Sequence, residues 1–151
     1  MDQNLVGSRG GTLMLVKGKL AIGDPKFNVT GTLNYVIDGI MYNSTSPGSN
    51  NAFSTGHTAL GNQEACVFGV WIDSSNVLST TQGPIVSNTD VTAGKTVIPL
   101  PAVVDAKALV GLIKVRTAVA TFTPGTTCTN ATNITSTKYD TFAMPVAPFT
   151  S

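Results

Sequence analysis

Charge is what this chain has least of. Its 151 residues carry 9 Lys or Arg and 8 Asp or Glu, 11% in all, against about 25% in an ordinary soluble domain. Glu occurs once, at Glu64, and His once, at His57. So few carboxylates and imidazoles leave little for general acid–base work or for holding a transition metal. The cations stand singly (Arg9, Lys17, Lys19, Lys26, Lys95, Lys107, Lys114, Arg116, Lys138), so no basic footprint for nucleic acid forms. Lys114 and Arg116 would share one strand face, read as a solvated face.

Long apolar runs are also missing. No stretch approaches a membrane span, and Leu13–Val16 is far too short for the apolar region of a secretory leader, with Asp2 ahead of it. The expectation is a protein that is not secreted and has no membrane partner. The two cysteines, Cys66 and Cys128, lie far apart with no C-x-x-C and no His beside either. That pattern argues against zinc and for two free thiols, Cys66 in a buried strand and Cys128 in a Thr/Asn-rich loop. No cofactor is expected. Four sequons (Asn28, Asn43, Asn130, Asn133) are about what this Thr-rich and Asn-rich composition yields by chance and carry no weight.

What fills the space is Thr, Ser, Asn and Gly, 59 residues together. These dress strand surfaces and turns, whereas helix surfaces take Glu, Lys, Arg, Gln and Ala. With 42% hydrophobic residues and a mean hydropathy of +0.20, the chain can bury a real core. The composition implies an all-β fold, an antiparallel β-sandwich or barrel of short strands with extended terminal arms. A flexible arm is expected over 1–11, a single β domain over 12–144 and an extended tail over 145–151.

Along the domain, Phe27, Val29, Gly31, Leu33, Tyr35 and Ile37 share one parity, the period of a half-buried strand. Asp38-Gly39 offers a hairpin turn, with Ile40-Met41-Tyr42 returning. Residues 43–63 read as a long polar loop anchored at best by Phe53 and Leu60, and loops of that length tend to be functional or mobile. Ala65–Asp73 is apolar nearly throughout, as a central strand would be. Val77–Gln82 runs back to Gly83-Pro84. Shorter extended pieces are read at Ile85–Val86, Val97–Ile98, Val103-Val104, Val119–Phe122 and Tyr139–Met144. Ala106–Arg116 is the one helix candidate, but Gly111 and the β-branched Ile113 and Val115 favour strand. Gly111 would let a backbone or an aromatic ring, Trp71 for instance, come close.

Catalytic readings find little footing. His57 has Ser54 nearby and Glu64 as the nearest acid, but no G-x-S-x-G accompanies them. Asp24, Asp38 and Asp73 fall at turns, where Asp serves the local backbone, and no D-x-D-x-D run offers calcium ligands. Trp71 and Tyr42 could stack on a sugar, yet Trp71 alternates with Val67 and Gly69 and reads as core. The chain is read as a non-enzyme.

Several segments then become familiar in order: VFGVWIDSSNVLSTTQG (67–83), PLPA (99–102), ALVGLIKV (108–115) and FTPGTT (122–127), preceded by LAIG (20–23) and LNYVIDGIMY (33–42). Spread over residues 20–144, they resemble the small virion structural proteins of tailed bacteriophages. The resemblance implies a capsid decoration or cement protein bound to the major capsid protein or neighbouring virion proteins, made in the host cytoplasm and located in the virion. The alternative is a tail- or fibre-associated adhesin module binding host-surface glycan through the 43–63 loop. A homo-oligomer, a trimer, is expected, because low surface charge and apolar ends leave area that a monomer would expose. Partner contacts are expected at Arg9, Phe53, Pro145, Pro148 and Phe149. The tail should bury little against its own domain, so that removing 145–151 weakens partner binding and leaves the fold intact.

Overall fold

Asp38 and Gly39 take φ of 51° and 82°, the pair of positive values that a two-residue type I′ turn requires. They join β4 (Leu33–Ile37) to β5 (Ile40–Ser44), with Ile37 opposite Ile40. In the computed structural model, which describes residues 12–22, 26–45, 47–140 and 149, this hairpin is one wall of an all-β, sandwich-like fold. β1 (Leu13–Val16) pairs antiparallel with β4, giving a three-stranded sheet ordered β1-β4-β5. β2 (Lys19–Ile22) and β3 (Phe27–Thr30) form a separate antiparallel pair. The run from Phe27 to Ile37 is therefore two strands and not one. Gly31, at φ 86°, breaks it, while Phe27, Val29, Leu33, Tyr35 and Ile37 all stay buried.

The larger sheet is ordered β10-β9-β6-β7, from β6 (Glu64–Ile72), β7 (Leu78–Gln82), β9 (Ala108–Thr117) and β10 (Ile134–Asp140). β8 (Val86–Ser87) continues along β6 beyond Gly83, whose N–H donates to the Val67 carbonyl. β6 and β9 are buried nearly end to end because both faces are covered. Cys66, Phe68, Val70 and Ile72 face the smaller sheets, with Tyr35, Phe27 and Phe122 in the same core. Ala65, Val67 and Trp71 face a second core closed by Val91, Ile98, Leu109 and Leu112. Each fully buried Leu, Ile or Phe contributes roughly 1.5–3 kcal/mol. A bulge between Val70 and Trp71 leaves Val110 unmatched on β9 and resets its alternation, so Val110 and Ile113 both enter the first core.

The second core is roofed by the chain between β8 and β9. A five-residue helix, Asn88–Thr92, starts at Ser87, whose Oγ accepts from Asp90 N–H, and buries Val91. Arg116 clamps this helix by donating from Nε to Asn88 Oδ1 and from Nη2 to Thr92 Oγ1. The face that Lys114 shares is thus no solvated one: Lys114 is 8% exposed. Pro101 lies over two glycines, since a Cβ on Gly69 or on Gly83 would stand 3.1 Å from it. Trp71 approaches Gly69 and donates from Nε1 to Thr81 Oγ1 at 2.7 Å. Gly111 instead makes room for Leu20 and the Tyr139 carbonyl, each 2.6 Å from the Cβ it lacks.

Other expectations shift. The helix candidate over 106–116 is strand from Ala108 onward, as its β-branched half implies, with Ala106 in a turn at φ 55°. Val103-Val104 joins no ladder, and Val119–Phe122 is reduced to one bridge between Phe122 and Leu60. The last strand begins at Ile134, ahead of the expected Tyr139. The arm 1–11 and the stretch 141–148 lie outside the described residues.

Candidate interaction surface

The 43–63 segment is tied down along its length. Asn51 and Phe27 exchange both backbone hydrogen bonds, at 3.0 and 2.8 Å, and Leu60 does the same with Phe122. Phe53 is 6% exposed, its ring edge-on to Phe27, Phe68 and Phe122. Phe53, expected among the partner contacts, is packed inside its own domain in this structure. Ser54 Oγ accepts from Thr80 N–H, and Ser54 N–H donates to Thr80 Oγ1, both at 2.8 Å. Gln82 bonds the Thr58 backbone at both its N–H and its carbonyl. The Ser54–Thr58 part of the segment therefore seals the open edge of β7.

His57 belongs to the same seal. Its Nε2 lies 2.8 Å from Thr80 Oγ1, and its ring meets the Phe68 edge at 5.4 Å. Burial lowers its pKa below the ordinary 6.5. Glu64 is engaged elsewhere, its Oε2 accepting from Gly61 N–H. Ser54, His57 and Glu64 are thus not bonded to one another as a relay would be: Ser54 and His57 each bond Thr80, and Glu64 bonds Gly61. Asp73 accepts from Ser75 and Val77 N–H, both at 2.9 Å, and Asp140 accepts from Leu20 N–H at 2.8 Å. Among the described residues no three His, Cys, Asp or Glu side chains stand close enough to share a metal ion. Both thiols are free. Cys66 is buried, with its pKa pushed up to about 12 by desolvation, and Cys128 is half-buried beside Asn130.

Of the terminal residues expected to meet a partner, Arg9, Pro145 and Pro148 lie outside the described residues. Phe149 is described, and it docks on its own domain. It exchanges backbone hydrogen bonds with Ile98, stacks on Tyr139 and packs against the second core. No sequence periodicity signals this, since a lone aromatic beside Pro148 on a short tail carries no register.

The outer face of the β1-β4-β5 sheet is the apolar surface left over. Leu13 and Met41 flank Val36 in register, and Asn43 and Val16 flank Asn34. Because β4 turns Leu33, Tyr35 and Ile37 inward, the Val36 row faces out. Met41 is 72% exposed, Val16 46% and Leu15 44%, while Ile40, 60% exposed, pairs with inward-facing Ile37 and so belongs to the opposite face at the sheet edge. No ionised side chain interrupts the Leu13–Val36–Met41 row. Apolar residues at both parities of 33–42 were the available signal; reading only the inward parity misses this face. No protein-family model, curated protein or solved structure matches the chain.

Proposed function

We propose that the chain is a non-enzymatic structural protein of a tailed-bacteriophage virion, a decoration or cement protein that binds the assembled major-capsid lattice. The ordered segments that resemble small virion proteins carry the reading. Four of them run through the larger sheet and its cover: 67–83 is β6, its turn and β7; 99–102 is the stretch packed over Gly69 and Gly83; 108–115 is most of β9; and 122–127 starts at the buried Phe122. A fifth, 33–42, is the β4–β5 hairpin. A neutral outer sheet face with exposed Met41, Val16 and Leu15 adds support, because apolar area of this kind marks a protein that works against a neighbour. A protein that binds the closed shell and not its loose subunits stabilises the shell by mass action, with no chemistry required.

Mass spectrometry of gradient-purified virions, with this chain counted against the major capsid protein, tests the reading. Lattice decoration predicts on the order of hundreds of copies, repeated by the shell's symmetry. About a dozen copies or fewer would point to a tail or fibre position, and absence from the particle would overturn a virion role.

A further inference from the structure

Among the described residues the sheet edges are covered or blunted, with one exception. Ser54, Thr58 and Gln82 close β7, and Gly48 and Asn51 bond the backbone of β3. The β2 and β10 edges meet through Asp140, which accepts from Leu20 N–H. β1 is bulged between Met14 and Val16. Bulges, charges and covering loops are the ordinary protections of an edge against another chain. β5 has none of them. Its sequence, Ile40-Met41-Tyr42-Asn43-Ser44, holds no charge and no proline, and it pairs residue for residue with β4. Among the described residues no backbone hydrogen bond reaches it from the side away from β4.

The register says which groups are open. Across a two-residue turn the flanking pair, Ile37 and Ile40, exchanges both hydrogen bonds, and so does every second pair after it, beginning with Tyr35 and Tyr42. The N–H and C=O groups of Met41 and Asn43 therefore point outward. We propose that β5 is a self-association edge, pairing antiparallel with β5 of a second copy of this chain about a two-fold axis. The two three-stranded sheets then become one continuous sheet.

A second copy fits this edge by symmetry. What Met41 of one copy donates, Met41 of the other accepts, and an edge without charge has nothing to repel its own image. With the two Met41 residues opposite each other, the Leu13–Val36–Met41 row runs on into its counterpart, and exposed Ile40 comes to lie beside Tyr42 of the other copy. Met41 and Ile40 are the two most exposed large apolar residues of the sheet. Five residues make a small contact, at the low end of interface sizes below about 1,200 Å², so the dimer should dissociate on dilution. A two-fold contact makes a dimer where composition suggested a trimer.

The test is sedimentation of the purified full chain across a roughly hundred-fold concentration range, away from any particle, so that its result is independent of the virion reading. Expected are a monomer–dimer equilibrium, its dissociation constant raised at least about 100-fold by Met41→Lys, and no change with Val119→Lys, another highly exposed apolar position. In the unmutated chain, amide exchange at Met41 and Asn43 should slow about tenfold or more as concentration rises; this decides the matter should Met41→Lys misfold. A monomer at all concentrations, a trimer, a dimer that Met41→Lys leaves intact, or β5 amides indifferent to concentration would each overturn the proposal.

Discussion

The ring of Phe149 lies against that of Tyr139, centroids 4.3 Å apart and planes 21° from parallel. Lys114 Nζ sits 5.9 Å from one ring centre and 5.8 Å from the other. The Lys114 stem is thereby packed while its cation faces two ring quadrupoles, which is how a lysine this buried is tolerated.

Phe149→Ala should therefore destabilise the domain itself, by about 1–2 kcal/mol for a half-buried aromatic with a stacked partner. Deleting 145–151 should destabilise the domain by a similar amount, read as a lower urea midpoint at unchanged slope, contrary to the expectation that the tail serves only a neighbour. Equal midpoints for the intact and truncated chains would show that the ring is not seated on Tyr139 in solution.

Gly111 is the tightest point of the central sheet. A Cβ there would stand 2.6 Å from the Tyr139 carbonyl oxygen and 2.6 Å from Leu20 Cδ1. Leu20 could rotate, but the carbonyl belongs to the β9–β10 ladder and cannot move without breaking it. Gly111→Ala should cost about 2–3 kcal/mol, at the upper end for overpacking. Gly39→Ala, where a Cβ meets nothing but φ is 82°, should cost about 1 kcal/mol. Denaturant melts of the two variants side by side check that order.

Much of the sandwich was readable from local pattern, because its rules act at short range. Asp38-Gly39 announces its turn, the parity of Leu33, Tyr35 and Ile37 announces a face, and the apolar run from Ala65 announces a strand covered on both sides. Long-range edge sealing left no such trace. Ser54 and Thr58 look like free loop polars until Thr80 and Gln82 come beside them. β10 alternates Thr, Ser and Lys with little apolar content, so its pairing with β9 is visible only once β9 is in place. Ser87 followed by Asp90 is a capping pattern in plain sight, but five residues are too few to show a helical period. The candidate surface was missed for another reason: Val36 and Met41 become neighbours only through the hairpin register.

The two thiols should separate cleanly. Burial holds the Cys66 thiol up at about 12, and its Sγ donates to the Gly83 carbonyl. Since the thiolate is the reactive species, Cys66 should stay silent toward a disulfide reagent at neutral pH until the protein unfolds. Half-buried Cys128 should account for the native reaction. One equivalent in buffer and two in denaturant are expected; two at the same rate in buffer would mean that the central sheet opens locally.

His57 gives the fold one acid-sensitive fastening. Burial lowers its pKa below 6.5, so the unfolded chain takes up a proton more readily than the folded one. The stability contributed by the neutral ring is complete above about pH 6.5 and falls as the pH drops below it. His57 is the sole imidazole of the chain, so it is the group this window interrogates. His57→Gln keeps a polar group within reach of Thr80 Oγ1 but cannot titrate. Melting temperatures taken from about pH 7.5 down to about pH 5.5 should fall for the unmutated chain relative to the variant. Parallel curves over that range would show that protonating His57 costs the folded state nothing, and that its contact with Thr80 survives the charge.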